Sequence, residues 1–141
     1  MVGSNRRFKL ADIAQQMVGG FLLAGPFVVT EEVWVLATNM STLQWLVTVG
    51  FVLAIGYGAL YRADDDRDPD HERDFVGVPL RFLSLTGVSF GSVPLLALVF
   101  AAPETFLADL PSAERPAVLL RTISVGAVFS VVGAATADSV F

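Results

Sequence analysis

Few residues in this 141-residue sequence are equipped for chemistry. It has no cysteine and one histidine, His71, which excludes disulfides, thiolate metal sites and multi-histidine metal sites. Four ionisable residues stand at or inside long apolar stretches: Glu31, Glu32, Arg121 and Asp138. A charge at the middle of a membrane helix costs roughly 2.5–3.5 kcal/mol on insertion scales, so each of the four is a candidate functional group. Consecutive residues on a helix point about 100° apart, so Glu31 and Glu32 cannot both face one partner. Two readings stay open. Several copies could assemble a ring of carboxylates that concentrates monovalent or divalent cations at the mouth of a pathway. Alternatively, Arg121, which enters the last apolar stretch from the same side at a similar depth, pairs with one of them.

A second charged feature is the segment 62–74, with seven acids and three arginines, its acids recurring at positions 64, 66, 68, 70, 72 and 74. The alternation suggests calcium, but an EF-hand loop needs glycine at its sixth position, where counting from Asp64 gives Pro69. A solvated acidic loop is the expectation. No enzyme is expected: His71 lies in that charged loop, and neither a nucleophile paired with a base nor a phosphate-cradling glycine loop is present. No motif calls for a cofactor. The net charge of −5 disfavours nucleic acid as a partner.

The elements that must position these residues follow from hydropathy. Hydrophobic residues make up 54% and charged residues 16%, against about 45–50% and about 25% in soluble domains. The apolar residues fall into four runs, each close to the ~20 residues a helix needs to cross ~30 Å of hydrocarbon. The expected architecture is a single all-α, multi-pass membrane domain over 1–141 with four transmembrane helices at about 12–37, 43–61, 79–102 and 117–138. An acidic loop at 62–74 and a surface-lying segment at 103–116 make the longer connections, and only the short stretch around Asn39, Met40, Ser41 and Thr42 separates the first two spans, which predicts antiparallel neighbours. Arg6, Arg7, Lys9, Arg62, Arg67, Arg73 and Arg81 fall on one side, Arg115 and Arg121 on the other. That asymmetry predicts both termini and the acidic loop in the cytoplasm of a cell-membrane protein. Eight of the nine basic residues are arginine and the balance is acidic, which points to a salt-rich cytoplasm such as that of a halophilic archaeon.

Small residues mark helix-packing faces. Gly126, Ser130, Ala134 and Asp138 recur every four positions in the last span, and Gly87 and Gly91 have the same spacing in the third. Pro26 and Pro94 predict kinks in spans one and three.

Thr30, Glu32 and Trp34 form a Thr-x-Glu-x-Trp segment, and the last span reads Val125-Gly126-Ala127 through Gly133-Ala134-Ala135. In these two places the chain resembles a family of prokaryotic integral membrane proteins known as domain of unknown function 2391. The resemblance implies a membrane location and singles out Glu32 over Glu31, but it implies no activity, cofactor or catalytic residue.

Two functions are therefore expected to compete. One is an oligomeric cation channel or transporter using Glu31 and Glu32, with Arg121 as counter-charge. The other is a structural or accessory membrane subunit that packs through its small-residue faces against a second copy or another membrane protein.

Overall fold

The computed structural model describes residues 10–62, 74–75 and 78–140. Most of the acidic loop, including the proposed cation-binding alternation and His71, and the basic residues Arg6, Arg7 and Lys9 lie outside the described residues. The protein is an all-α membrane protein. Its elements in order are α1 (Leu10–Val28), α2 (Glu31–Asn39), α3 (Thr42–Tyr57), β1 (Asp74–Phe75), β2 (Val78–Pro79), α4 (Leu80–Val99), α5 (Ala102–Phe106) and α6 (Arg115–Val140). The two strands form only a two-residue antiparallel pairing at the start of α4. Among the described residues, three helical stretches are long and apolar enough to cross a membrane, at Thr42–Tyr61, Leu80–Val99 and Arg115–Asp138, and the bent pair α1 and α2 counts as a fourth where the two are taken as one broken span.

The first apolar run is not one helix. α1 ends at Val28 and α2 starts at Glu31, turned by 82°. The cause is local. Pro26 contributes no backbone donor, and the β-branched run Val28, Val29 and Thr30 favours extended backbone, which Thr30 adopts at φ −102 and ψ 137. The carbonyls left over at the end of α1 are then taken up by the next few side chains. The Thr30 hydroxyl donates to the Phe27 carbonyl at 2.9 Å, and the Trp34 indole N–H donates to the Val28 carbonyl at 2.9 Å. Trp34 is buried against Phe106 of α5, so α2 is held down on the same end of the bundle. We call this the α2/α5 end, and the opposite one, where α1 begins and α6 finishes, the terminal end.

α3 starts from a reciprocal cap in which Gln44 N–H donates to the Ser41 hydroxyl at 3.1 Å and Ser41 N–H donates to Gln44 Oε1 at 2.9 Å. Its last turn widens into a π-helical segment over Gly58–Arg62. α6 is the hub: α1, α3 and α4 all pack on it, and half of its span is buried within the chain. α1 and α3 are not the packed neighbours that their short connection predicts, because the intervening residues include α2, which carries the chain across to α6. Apolar side chains such as Leu22, Leu43, Phe51 and Leu98 point outward, as a hydrocarbon solvent allows.

The tightest contact is the crossing of α1 and α6. A Cβ built on Gly19 would overlap the Gly133 carbonyl, and one on Gly133 would overlap the Gly19 carbonyl. Backbone touches backbone, which only glycine on both helices permits. Gly50 on α3, by contrast, has nothing within 4 Å of the same added atom. Gly19→Ala and Gly133→Ala should therefore each destabilise the bundle by about 1–3 kcal/mol through overpacking, whereas Gly50→Ala should be neutral or stabilising by up to about 1 kcal/mol. Denaturation in mixed micelles followed by circular dichroism measures the order; equal effects at Gly19 and Gly50 contradict the crossing.

Candidate functional site

The described charges that the bundle buries converge at the terminal end, on the first turns of α1 and α4 and the last turn of α6. Asp12 and Gln16 stand one turn apart on α1, so they share a face. Arg81 and Ser84 have the corresponding relation on α4, and Asp138 closes α6. Arg81 Nη1 donates to Asp138 Oδ1 at 2.7 Å and Nη2 donates to Asp12 Oδ2 at 3.2 Å. The arginine side chain is 2% exposed, Asp138 fully covered, and Asp12 19% exposed. Gln16 Nε2 donates to Asp138 Oδ2 at 3.2 Å and approaches the Arg81 carbonyl at 3.4 Å, while the Ser84 hydroxyl donates to Gln16 Oε1 at 2.6 Å.

Helix dipoles explain why this pairing is tight. Arg81 puts a cation at the positive start of α4, and Asp138 puts an anion at the negative finish of α6, so neither is stabilised by its own helix. Each is stabilised by the other. Asp12, at the start of α1, has a favourable dipole and a partial outlet to solvent, which makes it the outer member of the cluster.

Of the residues singled out from sequence, Asp138 belongs to this cluster, and the others do not. Glu31 and Glu32 open α2, exposed, where their charge suits the helix start. Arg121 is half-buried on α6, and no ion pair joins it to either glutamate. The stripe on α6 is consumed in packing. Val93 fills the space at Gly126, Ser130 shares a 2.8 Å hydrogen bond with Ser92, and Ala134 is completely buried. Gly87 and Gly91 have the same spacing on α4 but are exposed, with nothing within 4 Å of an added Cβ. They line an open groove of about 320 Å³ with Met17, Phe21, Ser84 and Leu95.

Asp12, Gln16 and Arg81 are not singled out by sequence. Arg81 enters only the count of basic flanking residues, although its position beside the start of one span, level with Asp138 at the end of another, is readable from the topology. Gln16, a polar residue one turn from Asp12 inside an apolar run, is the available sign on α1.

The model of a family described as "Putative integral membrane protein" and as a domain of unknown function matches residues 3–139. No curated protein and no solved structure matches the chain.

Removing one partner from a buried pair leaves an uncompensated charge, at about 3–5 kcal/mol. Arg81→Leu should accordingly lose that much stability and Asp138→Asn less, since the amide still accepts from Arg81. Asp12→Asn, partly solvated, should lose about 1 kcal/mol or less. A double-mutant cycle on Arg81 and Asp138 by denaturant titration in micelles should show a coupling of at least about 1 kcal/mol; strict additivity contradicts the pair.

Proposed function

Since the chain belongs to the family of integral membrane proteins designated domain of unknown function 2391, we propose that it acts as a structural or accessory membrane subunit. It docks through the Gly87–Gly91 face of α4 onto a further membrane helix, of a second copy or of another protein. The observation that carries this reading is the contrast between two identical spacings. The Gly126, Ser130 and Ala134 face is filled by the chain's own helices, and the Gly87 and Gly91 face by none of those described. Small residues let backbones approach, and association in hydrocarbon depends on that approach because lipid supplies no hydrophobic drive.

The bundle interior supports the same reading. Along its axis α1 meets α6 backbone to backbone at Gly19 and Gly133, Val93 fills the gap at Gly126, and Phe27 stacks on Phe129 with ring centres 3.8 Å apart. The buried charges at the terminal end are bonded to one another. In the orientation that the basic residues predict, that end faces the cytoplasm.

A cation-conducting assembly is the second reading. What favours it is the exposure of Glu31 and Glu32, which leaves both carboxylates free to line a mouth between copies.

The accessory reading expects Gly87→Leu or Gly91→Leu to keep helicity and thermal midpoint while weakening association about tenfold or more, read by cross-linking in bicelles. It also expects no Na⁺, K⁺, H⁺ or Ca²⁺ flux into proteoliposomes under a gradient. Flux that is lost in Glu31→Gln or Glu32→Gln would replace it with the second reading.

A further inference from the structure

A second concavity, of about 560 Å³, opens on another side of the bundle at the α2/α5 end, where α2 turns into α3 beside α6. Its size is within the roughly 300–1,000 Å³ typical of small-molecule pockets. Its floor is apolar, made by Leu36, Met40, Leu43, Val47 and Val125, and its polar members Asn39, Gln44 and Thr48 are contributed by the end of α2 and the first turns of α3. The Trp45 indole N–H donates to the Ser124 hydroxyl at 2.8 Å, which fixes α3 against α6 so that Gln44 and Val125 stand at about one level.

Arg121 lies four residues before Val125 on α6, hence on the same helix face one turn nearer the α2/α5 end. It is half-buried, and among the described residues it has no hydrogen-bond or ion-pair partner. Gln44 spends its Oε1 on the Ser41 cap, which leaves its amide N–H groups available beside the groove. An apolar trough with an amide donor on its wall, and an arginine one helical turn beyond its Val125 wall toward the α2/α5 end, is complementary to one kind of molecule. That molecule has an acyl chain and an anionic phosphodiester at the level where the chain meets the headgroups.

We infer that this groove holds an anionic phospholipid, with one acyl chain along Leu36, Leu43, Val47 and Val125 and its phosphate on Arg121 and Gln44. The site is independent of the α4 face. It assigns Arg121 a ligand outside the protein, which accounts for a half-buried arginine that pairs with neither Glu31 nor Glu32. Guanidinium and phosphate match in geometry as well as charge.

The test is native mass spectrometry of the full chain released from dodecyl maltoside, titrated with phosphatidylglycerol, with phosphatidylcholine of the same chains, and with glycerol 3-phosphate alone. The expected result is one saturable equivalent of phosphatidylglycerol, retained in preference to phosphatidylcholine and not displaced by glycerol 3-phosphate. Arg121→Gln should weaken retention about tenfold, and Val125→Trp, which fills the trough and keeps the arginine, should weaken it too. Arg115→Gln, a neighbouring cation bonded to the Ala108 and Leu110 carbonyls, should leave it unchanged. Circular dichroism of each variant establishes that the helices persist. Equal retention of the two lipids, displacement by glycerol 3-phosphate, or an Arg115→Gln loss as large as that of Arg121→Gln overturns the proposal. So does unchanged retention in folded Arg121→Gln.

Discussion

The buried guanidinium of Arg81 is the constraint on which the rest of the bundle depends. A cation 2% exposed among membrane helices must have anionic partners, and among the described residues two come from positions 69 before it and 57 after it. That requirement draws the starts of α1 and α4 to the finish of α6. Once those ends are pinned, α1 has to lie close along α6, and the chain provides Gly19, Gly20 and Gly133 where the helices meet. The charge cluster and the glycine crossing are thus successive consequences of one demand: no buried charge without a partner.

At the opposite end the same α1–α6 pair is held by different physics. Val28, Trp34, Ala102 and Leu107 make an apolar cluster under α2 and α5, and the polar obligations there are carbonyls at the broken end of α1. Thr30 and Trp34 discharge them. Two of the three residues in the Thr-x-Glu-x-Trp segment therefore have a backbone-capping role, and the third, Glu32, occupies a helix start where a carboxylate suits the dipole. The segment builds an elbow, and the exposure of Glu31 and Glu32 is a result of that elbow.

Composition and the lengths of the apolar runs are enough to read an all-α membrane protein, since a charge-free run near 20 residues matches the thickness of a bilayer and exceeds what a small soluble core can bury. The elbow is harder to see because summed hydropathy is blind to direction: residues 12–37 total the same whether the helix is straight or turned by 82°. Its signs are local, in Pro26 and the β-branched residues after it. Glycine spacing has the converse weakness. A repeat of four defines a face of a helix and leaves open what meets it, so Gly126 and Gly91 look alike in sequence although one packs on Val93 and the other has open space beside it. Arg81 is hidden by its own usefulness as a topology signal, because a basic residue at a span boundary is normally counted as solvated.

Two open concavities among the described residues can be told apart by what their walls provide. The α1–α4 groove has glycines at its floor and no charged residue on its walls, so an occupant gains mainly by van der Waals approach, and a helix backbone gains most. One turn before Val125, which walls the trough between α2, α3 and α6, comes the half-buried Arg121, whose desolvation an anion would offset. A helix laid there would have to bring a carboxylate into hydrocarbon to satisfy it, whereas a phospholipid has its phosphate at that level already. The same rule that forces Asp138 onto Arg81 inside the bundle thus selects a different class of neighbour at each uncovered surface outside it.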